Sequence, residues 1–232
     1  MEIIKSVCNG CNSLWRVFLD EGIKRIDNSF NNLPLLDKLV LPNSLEEIED
    51  YTFSNCTSLT EINIPSLVSR ISDTSFCGCI SVEKITVSSD NKTYDSREAC
   101  NAIIETHTNR MILGCKNTII PHSVNGIASY AFLNCKEMKN ILIPDSIERI
   151  GAYAFSGCSS LKVIVIPPRV KILNGNTFEG CDSLKKIIVP RGINLVGSWK
   201  LKQDFDEIYR YELDIEYYDY AEWDKWRNFS IE

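Results

Sequence analysis

The ten cysteines and two histidines are the residues of this 232-residue chain with the most chemistry to offer. Cys8-Asn-Gly-Cys11 has the spacing of a dithiol redox motif or of half a zinc site. A structural zinc needs four ligands, and no second cysteine pair or histidine pair stands at a suitable interval. Cys77-Gly-Cys79 fails on the same ground. His107 and His122 have no patterned nucleophile or carboxylate partner, and both read as solvated surface residues. Asp90, Asn91 and Asp95 lack the remaining ligands and the closing glutamate of a calcium loop. No Gly-x-Ser-x-Gly elbow, phosphate loop, dinucleotide fingerprint or His-Glu-x-x-His occurs. The expectation is a chain with no catalytic residue, no metal and no cofactor.

The cysteines follow a lattice instead. Cys56 and Cys79 are 23 apart, as are Cys135, Cys158 and Cys181. Phe30, Phe53 and Phe76 keep that step, as do Phe132, Phe155 and Phe178. So do Pro42 and Pro65, and then Pro121, Pro144, Pro167 and Pro190. A fixed period in this range marks a solenoid, and it is too short for a four-stranded propeller blade. The unit read at Leu59 is Leu59-x-x-Ile62-x-Ile64-Pro65-x-x-Val68-x-x-Ile71-x-x-x-x-Phe76-x-x-Cys79. Ile62 and Ile64 alternate as in a strand with one buried face. Pro65 ends the strand, since proline offers no N–H to a ladder. Val68 to Ile71 suggests a second short extended stretch. The residue before the repeat cysteine position is Gly10, Asn32, Asn55, Gly78, Asn134, Gly157 or Gly180. Glycine and asparagine tolerate positive φ best, so a left-handed residue is expected there in every coil. On this register Cys11 belongs to the cysteine column and Cys8 to the phenylalanine column. Ladder cysteines should be buried free thiols, because side chains pointing the same way make poor disulfide geometry.

These residues carry a resemblance. The coil Met138, Ile141, Ile143, Pro144, Ile147, Ile150, Gly151, Ala154, Phe155, Gly157, Cys158 resembles the Treponema pallidum-type leucine-rich repeat of BspA-like proteins, with Met138 in place of the leading leucine. The resemblance spans roughly residues 3 to 196. It implies a mostly β leucine-rich-repeat solenoid, a right-handed horseshoe or rod with a parallel β-sheet on its concave face. It also implies a role in protein binding, including adhesion to host or neighbouring-cell proteins. Fold alone does not decide function.

Two features break the register. Phe76 to Phe132 is 56 residues, ten more than two periods, with the excess inside 88–117. Asn101 to Glu105 and Arg110 to Leu113 read as the strands of a β-hairpin projecting from the rod, either a structural insertion or a recognition finger. The long variant of the BspA-like repeat is similar, with its Tyr-x-Ser element at Tyr94 to Ser96. The domain division is thus a solenoid over 1–196 and an acidic, aromatic C-terminal cap over 197–232. The cap holds ten acidic residues against five basic. Tyr209, Tyr211, Leu213, Ile215 and Tyr217 alternate as in a half-buried strand, expected to pack on Leu184, Ile187, Val189 and Val196. Tyr220, Trp223 and Trp226, three apart, suit a final helix.

The residue between the two strand isoleucines points away from the core. That column ends in Ile119, Leu142, Val165 and Ile188, an apolar stripe that is either an interaction surface or ground covered by the tail. The column two residues earlier holds Arg16, Lys38, Lys84 and Lys186. Along the second stretch Arg25, Glu47 and Arg70, Lys24 with Glu46, and Glu148 with Lys171 suggest cross-coil ion pairs. The reading is a monomeric, non-catalytic protein-binding scaffold using the concave face, its partner a protein. Its first alternative is a carbohydrate- or surface-binding module built on Trp223 and Trp226; its second is an enzyme. A net charge of −6 argues against nucleic acid, and no apolar run is long enough to insert in a membrane. No targeting signal is visible, so the chain as given reads as cytoplasmic. It opens in mid-repeat, and an upstream leader would make it secreted or cell-surface.

Overall fold

The computed structural model describes residues 3–8, 11–197 and 213–226. Among them the strands are β1 (Ile3–Lys5), β2 (Arg16–Phe18), β3 (Arg25–Asp27), β4 (Lys38–Val40), β5 (Glu47–Ile48), β6 (Glu61–Ile64), β7 (Arg70–Ile71), β8 (Lys84–Val87), β9 (Tyr94–Asp95), β10 (Ile103–Glu105), β11 (Arg110–Leu113), β12 (Gly126–Ile127), β13 (Arg149–Ile150), β14 (Val163–Val165), β15 (Ile172–Asn174), β16 (Lys186–Pro190), β17 (Asn194–Val196) and β18 (Asp214–Tyr218), followed by a short helix, α1 (Trp223–Trp226). Most coils contribute one strand to a concave wall and one to a second wall; the two coils of Ile119 and Leu142 have a strand on the second wall alone. The concave wall consists of the parallel sheets β2-β4, β6-β8 and β14-β16-β18. The second wall carries β1-β3-β5-β7, then β9 to β13, then β15-β17. Between regular coils the register is one repeat, as in Ile62↔Ile85 and Ile164↔Ile187, while the hairpin and the tail pair at other offsets, as in Met111↔Ile127 and Ile187↔Ile215.

The isoleucines of the alternating pattern fill the space between the walls; Ile62, Ile64, Ile164 and Ile166 are all buried. The phenylalanines stack into two ladders. Ring centroids lie 5.7 and 5.3 Å apart along Phe30, Phe53 and Phe76, and 5.1 and 5.7 Å apart along Phe132, Phe155 and Phe178. The small residue before each phenylalanine leaves room for this. Where it is Thr52 or Ser75, the buried hydroxyl donates to carbonyls of the preceding coil, at Ile26 (3.1 Å) and Ile48 (3.2 Å). One coil cannot do this alone, since stacking is what buries both of its faces.

The left-handed residue appears wherever it is described. Asn32, Asn55, Asn134, Gly78, Gly157 and Gly180 all have φ between +53° and +79°; Gly10 lies outside the described residues. The choice between asparagine and glycine has a reason of its own. Asn55 Nδ2 donates to Asn32 Oδ1 at 3.0 Å, so one amide sits on another. In the next coil a Cβ on Gly78 would overlap the Asn55 amide oxygen. Gly78→Ala should therefore destabilise by about 1–2 kcal/mol, the cost of a side chain in the left-handed region. Gly78→Asn meets the same oxygen with its Cβ but should cost less, because asparagine tolerates the left-handed region better than alanine. Denaturant midpoints of the two variants check the order.

The inserted hairpin forms but does not project. Strand β11 pairs in parallel with β12 and antiparallel with β10, so the hairpin is part of the second wall. Both of its faces are buried: Ile103 and Ile112 belong to the N-terminal core, Ile104 and Met111 to the C-terminal core. Tyr94 is buried with its hydroxyl accepting from the Ile71 amide at 2.9 Å. Gly114 takes the place of a ladder residue; any Cβ there would run into the Phe132 ring. Neither the projecting element nor the recognition finger survives, because two cores meet across this hairpin.

The ion pairs on the second wall follow the expected columns with two changes. Lys24 meets Glu46 at 2.9 Å and Arg25 meets Glu47 at 3.7 Å. The centre of the network is Glu49, buried and 3.2 Å from both Arg25 and Arg70. Burial raises its pKa, as does the neighbouring Glu47, and the two guanidiniums oppose the rise. Glu148 pairs with Arg169 at 3.4 Å; Lys171 instead donates to the Pro168 carbonyl.

Candidate protein-binding face

The outward column on the concave wall is not uniform. Phe18 and Val40 are exposed at its start, Asn63 and Thr86 are polar in its middle, and Ile119 and Leu142 are 75% and 52% exposed. The last two members differ. Ile188 is fully buried, and Val165 is half-buried against the same cluster. Their cover is the tail. Strand β18 extends the concave sheet beside β16, and Tyr218, Trp223 and Trp226 then fold over Ile188, with Val163 and Val165 packed against them. The Tyr218 hydroxyl donates to the Ile166 carbonyl at 2.7 Å, and its ring lies 5.9 Å from that of Trp223. Burial raises the Tyr218 pKa. The tail thus closes the C-terminal half of the stripe and leaves Ile119 and Leu142 open.

This placement changes the role expected of Trp223 and Trp226. Both are buried, at 7% and 8% exposure, so neither presents an indole face for a carbohydrate or surface. The tail strand also differs in detail from its pattern. Leu213 and Ile215 pack on the core that holds Leu184, Ile187 and Val189, but Tyr217 is 47% exposed and its neighbour Tyr218 is the buried ring. Val196 remains 41% exposed. Tyr209 and Tyr211 lie outside the described residues.

Half of the charged column is neutralised by carboxylates. Lys84 meets Glu61 at 2.5 Å, and Lys186 meets Glu216 at 2.8 Å and Asp214 at 3.7 Å. Arg16 lies 3.9 Å over the Trp15 ring and Lys38 lies 5.8 Å from the Phe18 ring centroid, cation–π contacts at the N-terminal end. The pattern reading missed a different column one residue earlier in the later coils: Lys116, Lys139, Lys162 and Lys185. Its signal was present, since these four keep a constant step of 23 after the insertion. Lys116 bridges Glu83 (2.8 Å) and Glu137 (2.7 Å), which raises its pKa. Lys139, Lys162 and Lys185 are exposed.

A family model for the BspA-type leucine-rich repeat region, in six copies, matches residues 1–102 and 103–206. The chain belongs to that family. Among solved structures, this BspA-type protein is similar to a leucine-rich cell surface protein of Faecalibacterium prausnitzii, with 26% identity and a TM-score of 0.69 over 97% of this chain. It spans 65% of that protein's length. It is similar also to a leucine-rich repeat protein of Eubacterium ventriosum (20% identity, TM-score 0.59, 83% of this chain and 68% of that one). A third likeness is to the pneumococcal vaccine antigen PcpA (16% identity, TM-score 0.57, 94% of this chain and 71% of that one). The last two bear on the fold alone. No curated protein matches the chain.

The repeat cysteines of this BspA-type chain are more than small apolar fillers. Sγ of Cys56, Cys79, Cys158 and Cys181 each donates to the carbonyl of the ladder phenylalanine one coil back, at 3.0–3.2 Å. All ten cysteines are free thiols. Burial pushes the Cys135 thiol up to about 12, and a hydrogen bond to Cys181 and burial raise that of Cys158. A protonated thiol is a poor nucleophile. At pH 8, iodoacetamide should label exposed Cys11 and leave Cys135, Cys158 and Cys181 unlabelled until denaturant is added, read by peptide mass spectrometry. The linkage has a sign. A thiol with a raised folded pKa holds its proton longer than the unfolded chain does, so stability is full below 9.0 and falls as pH climbs toward about 12.

An open groove of about 450 Å³ lies on the second wall, lined by residues that include Arg110, Ser129, Glu148, Arg149 and Lys171. Arg110 is paired with Asp73 and Glu148 with Arg169, and no histidine or cysteine lines it. These groups do not converge as a nucleophile and base must.

Proposed function

We propose that this chain is a non-catalytic protein-binding scaffold that engages its partner on the concave wall around Leu142 and Ile119. The observation that carries this is the exposure of these two side chains, 52% and 75%, on a stripe whose other apolar members in the later coils are covered by the tail. An exposed aliphatic pair continuous with a buried aromatic cluster is the kind of surface that a partner covers. A likeness to a protein named as a cell surface protein supports an interaction at the cell exterior, adhesion included. The chain acts as a monomer in this reading, and its partner is a protein, with no nucleic acid and no membrane insertion.

The test is site-specific photocrosslinking. p-Benzoylphenylalanine at Leu142, and separately at Ser69 on the second wall, would be activated in the cells that make the protein. A discrete polypeptide adduct from position 142 and none from position 69 is the expected result. Adducts from position 69 alone would move the interface off the concave wall.

A further inference from the structure

We infer that the open part of this face takes an extended polypeptide segment in which acidic residues accompany aliphatic or aromatic ones, its carboxylates on Lys139 and Lys162 and its apolar side chains on Leu142 and Ile119. The inference rests on the concave-wall reading and adds the chemistry of the partner.

Three observations support it. The first is charge. In the coils that carry the open stripe, the lysine column runs three residues before the outward aliphatic, as Lys116 before Ile119, Lys139 before Leu142 and Lys162 before Val165. Lys139 and Lys162 are exposed and make no ion pair among the described residues. The nearby acid Glu137 is already held by Lys116. The unpaired charge bordering Leu142 is therefore positive, and it favours an anionic partner.

The second is the occupant of the adjoining ground. The tail lays Tyr218, Trp223 and Trp226 on Ile188 and Val165, and sets Glu216 and Asp214 against Lys186. It is itself an acidic aromatic segment lying on the same stripe, and its carboxylates pair with Lys186. The open coils keep the outward aliphatic without the cover; Asn117 and Asn140 stand where the covered coil has Lys186, and the lysines there, Lys116 and Lys139, are one residue earlier.

The third is the backbone. Ile141, Leu142 and Ile143 make no backbone-to-backbone hydrogen bond among the described residues, and no concave strand lies between β8 and β14. The ladder is interrupted where Leu142 is exposed, so its amides and carbonyls have hydrogen-bonding capacity that the coils do not use.

The probe is a random poly(Glu,Tyr) copolymer, compared with poly-Glu and poly(Lys,Tyr) by fluorescence anisotropy on the whole chain at low salt. Poly(Glu,Tyr) should bind at least tenfold tighter than poly-Glu, and poly(Lys,Tyr) should not bind. Lys139→Glu with Lys162→Glu, and separately Leu142→Asp, should each weaken binding at least tenfold; Arg16→Glu with Lys38→Glu should leave it unchanged. These are exposed positions, and a thermal melt of each variant verifies folding; if the charge reversals fail to fold, Lys139→Ala with Lys162→Ala replaces them. Equal binding of poly-Glu, binding that persists in the lysine and Leu142 variants, or loss only in the Arg16/Lys38 variant would each overturn the inference. A polypeptide adduct at position 142 without poly(Glu,Tyr) binding rejects this partner chemistry and leaves the concave-wall reading intact; absence of both rejects both.

Discussion

Phe155→Ala should remove about 3–5 kcal/mol of stability, the range for truncating a buried aromatic. The side chain is fully buried, and its ring stacks on Phe132 at 5.1 Å and on Phe178 at 5.7 Å. Truncation leaves a cavity and ends two ring contacts together. A whole domain is stable by only about 5–15 kcal/mol, so the loss is a large share of the total. It should also spread, because coils in a repeat array are stable only through their neighbours. Phe30→Ala is the comparison. Phe30 has one ring partner among the described residues, Phe53 at 5.7 Å, and its loss should cost less. Urea unfolding of both variants measures the difference. A cost below about 1 kcal/mol at Phe155 would mean that the ladder is not a principal source of stability.

Trp223→Ala should act locally. Replacing a buried tryptophan costs about 3–5 kcal/mol in a core. Part of this is returned, since Trp223 Nε1 is buried with no hydrogen-bond partner among the described residues, an arrangement that itself costs about 1 kcal/mol or more. The net loss, about 2–4 kcal/mol, falls on the docking of the tail and not on the solenoid, which has its own core. Amide exchange in β18 should accelerate about 30- to 900-fold, by the conversion of 1.36 kcal/mol per decade, with the amides of β5, β6 and β7 unchanged. Ile188 and Val165 would become exposed, enlarging the apolar face next to Leu142. If β5 to β7 lost protection as well, tail and solenoid would be one cooperative unit.

These two residues also mark what can be read from the chain. Phe155 recurs at a fixed step, as do the glycine and asparagine of the left-handed turn, so the coil, its register and its core follow from spacing. Trp223 occurs once. Nothing periodic says whether a lone aromatic caps the end of a rod or folds back over its face. The adjacent pair Tyr217 and Tyr218 held a clue, since neighbours in a strand face opposite ways, and the alternation assigned only one of them. The hairpin held another. Ile103 and Ile104, then Met111 and Ile112, are apolar on both faces, the pattern of a strand buried on both sides and not of a projecting hairpin. The lysine column is periodic only in the four later coils, with Trp15, Asp37, Thr60 and Glu83 at its earlier positions, so its signal is weaker than that of the phenylalanines.

The central claim is that the tail divides the outward stripe into a closed half at Ile188 and an open half at Leu142. Maleimide labelling of Leu142→Cys and Ile188→Cys, located by mass spectrometry with native Cys11 as the exposed reference, tests it most directly. The account predicts that Cys at 142 reacts nearly as fast as Cys11, and that Cys at 188 is protected until the tail is released by Trp223→Ala. Equal reactivity at the two positions, or protection at 142 with reaction at 188, would contradict it.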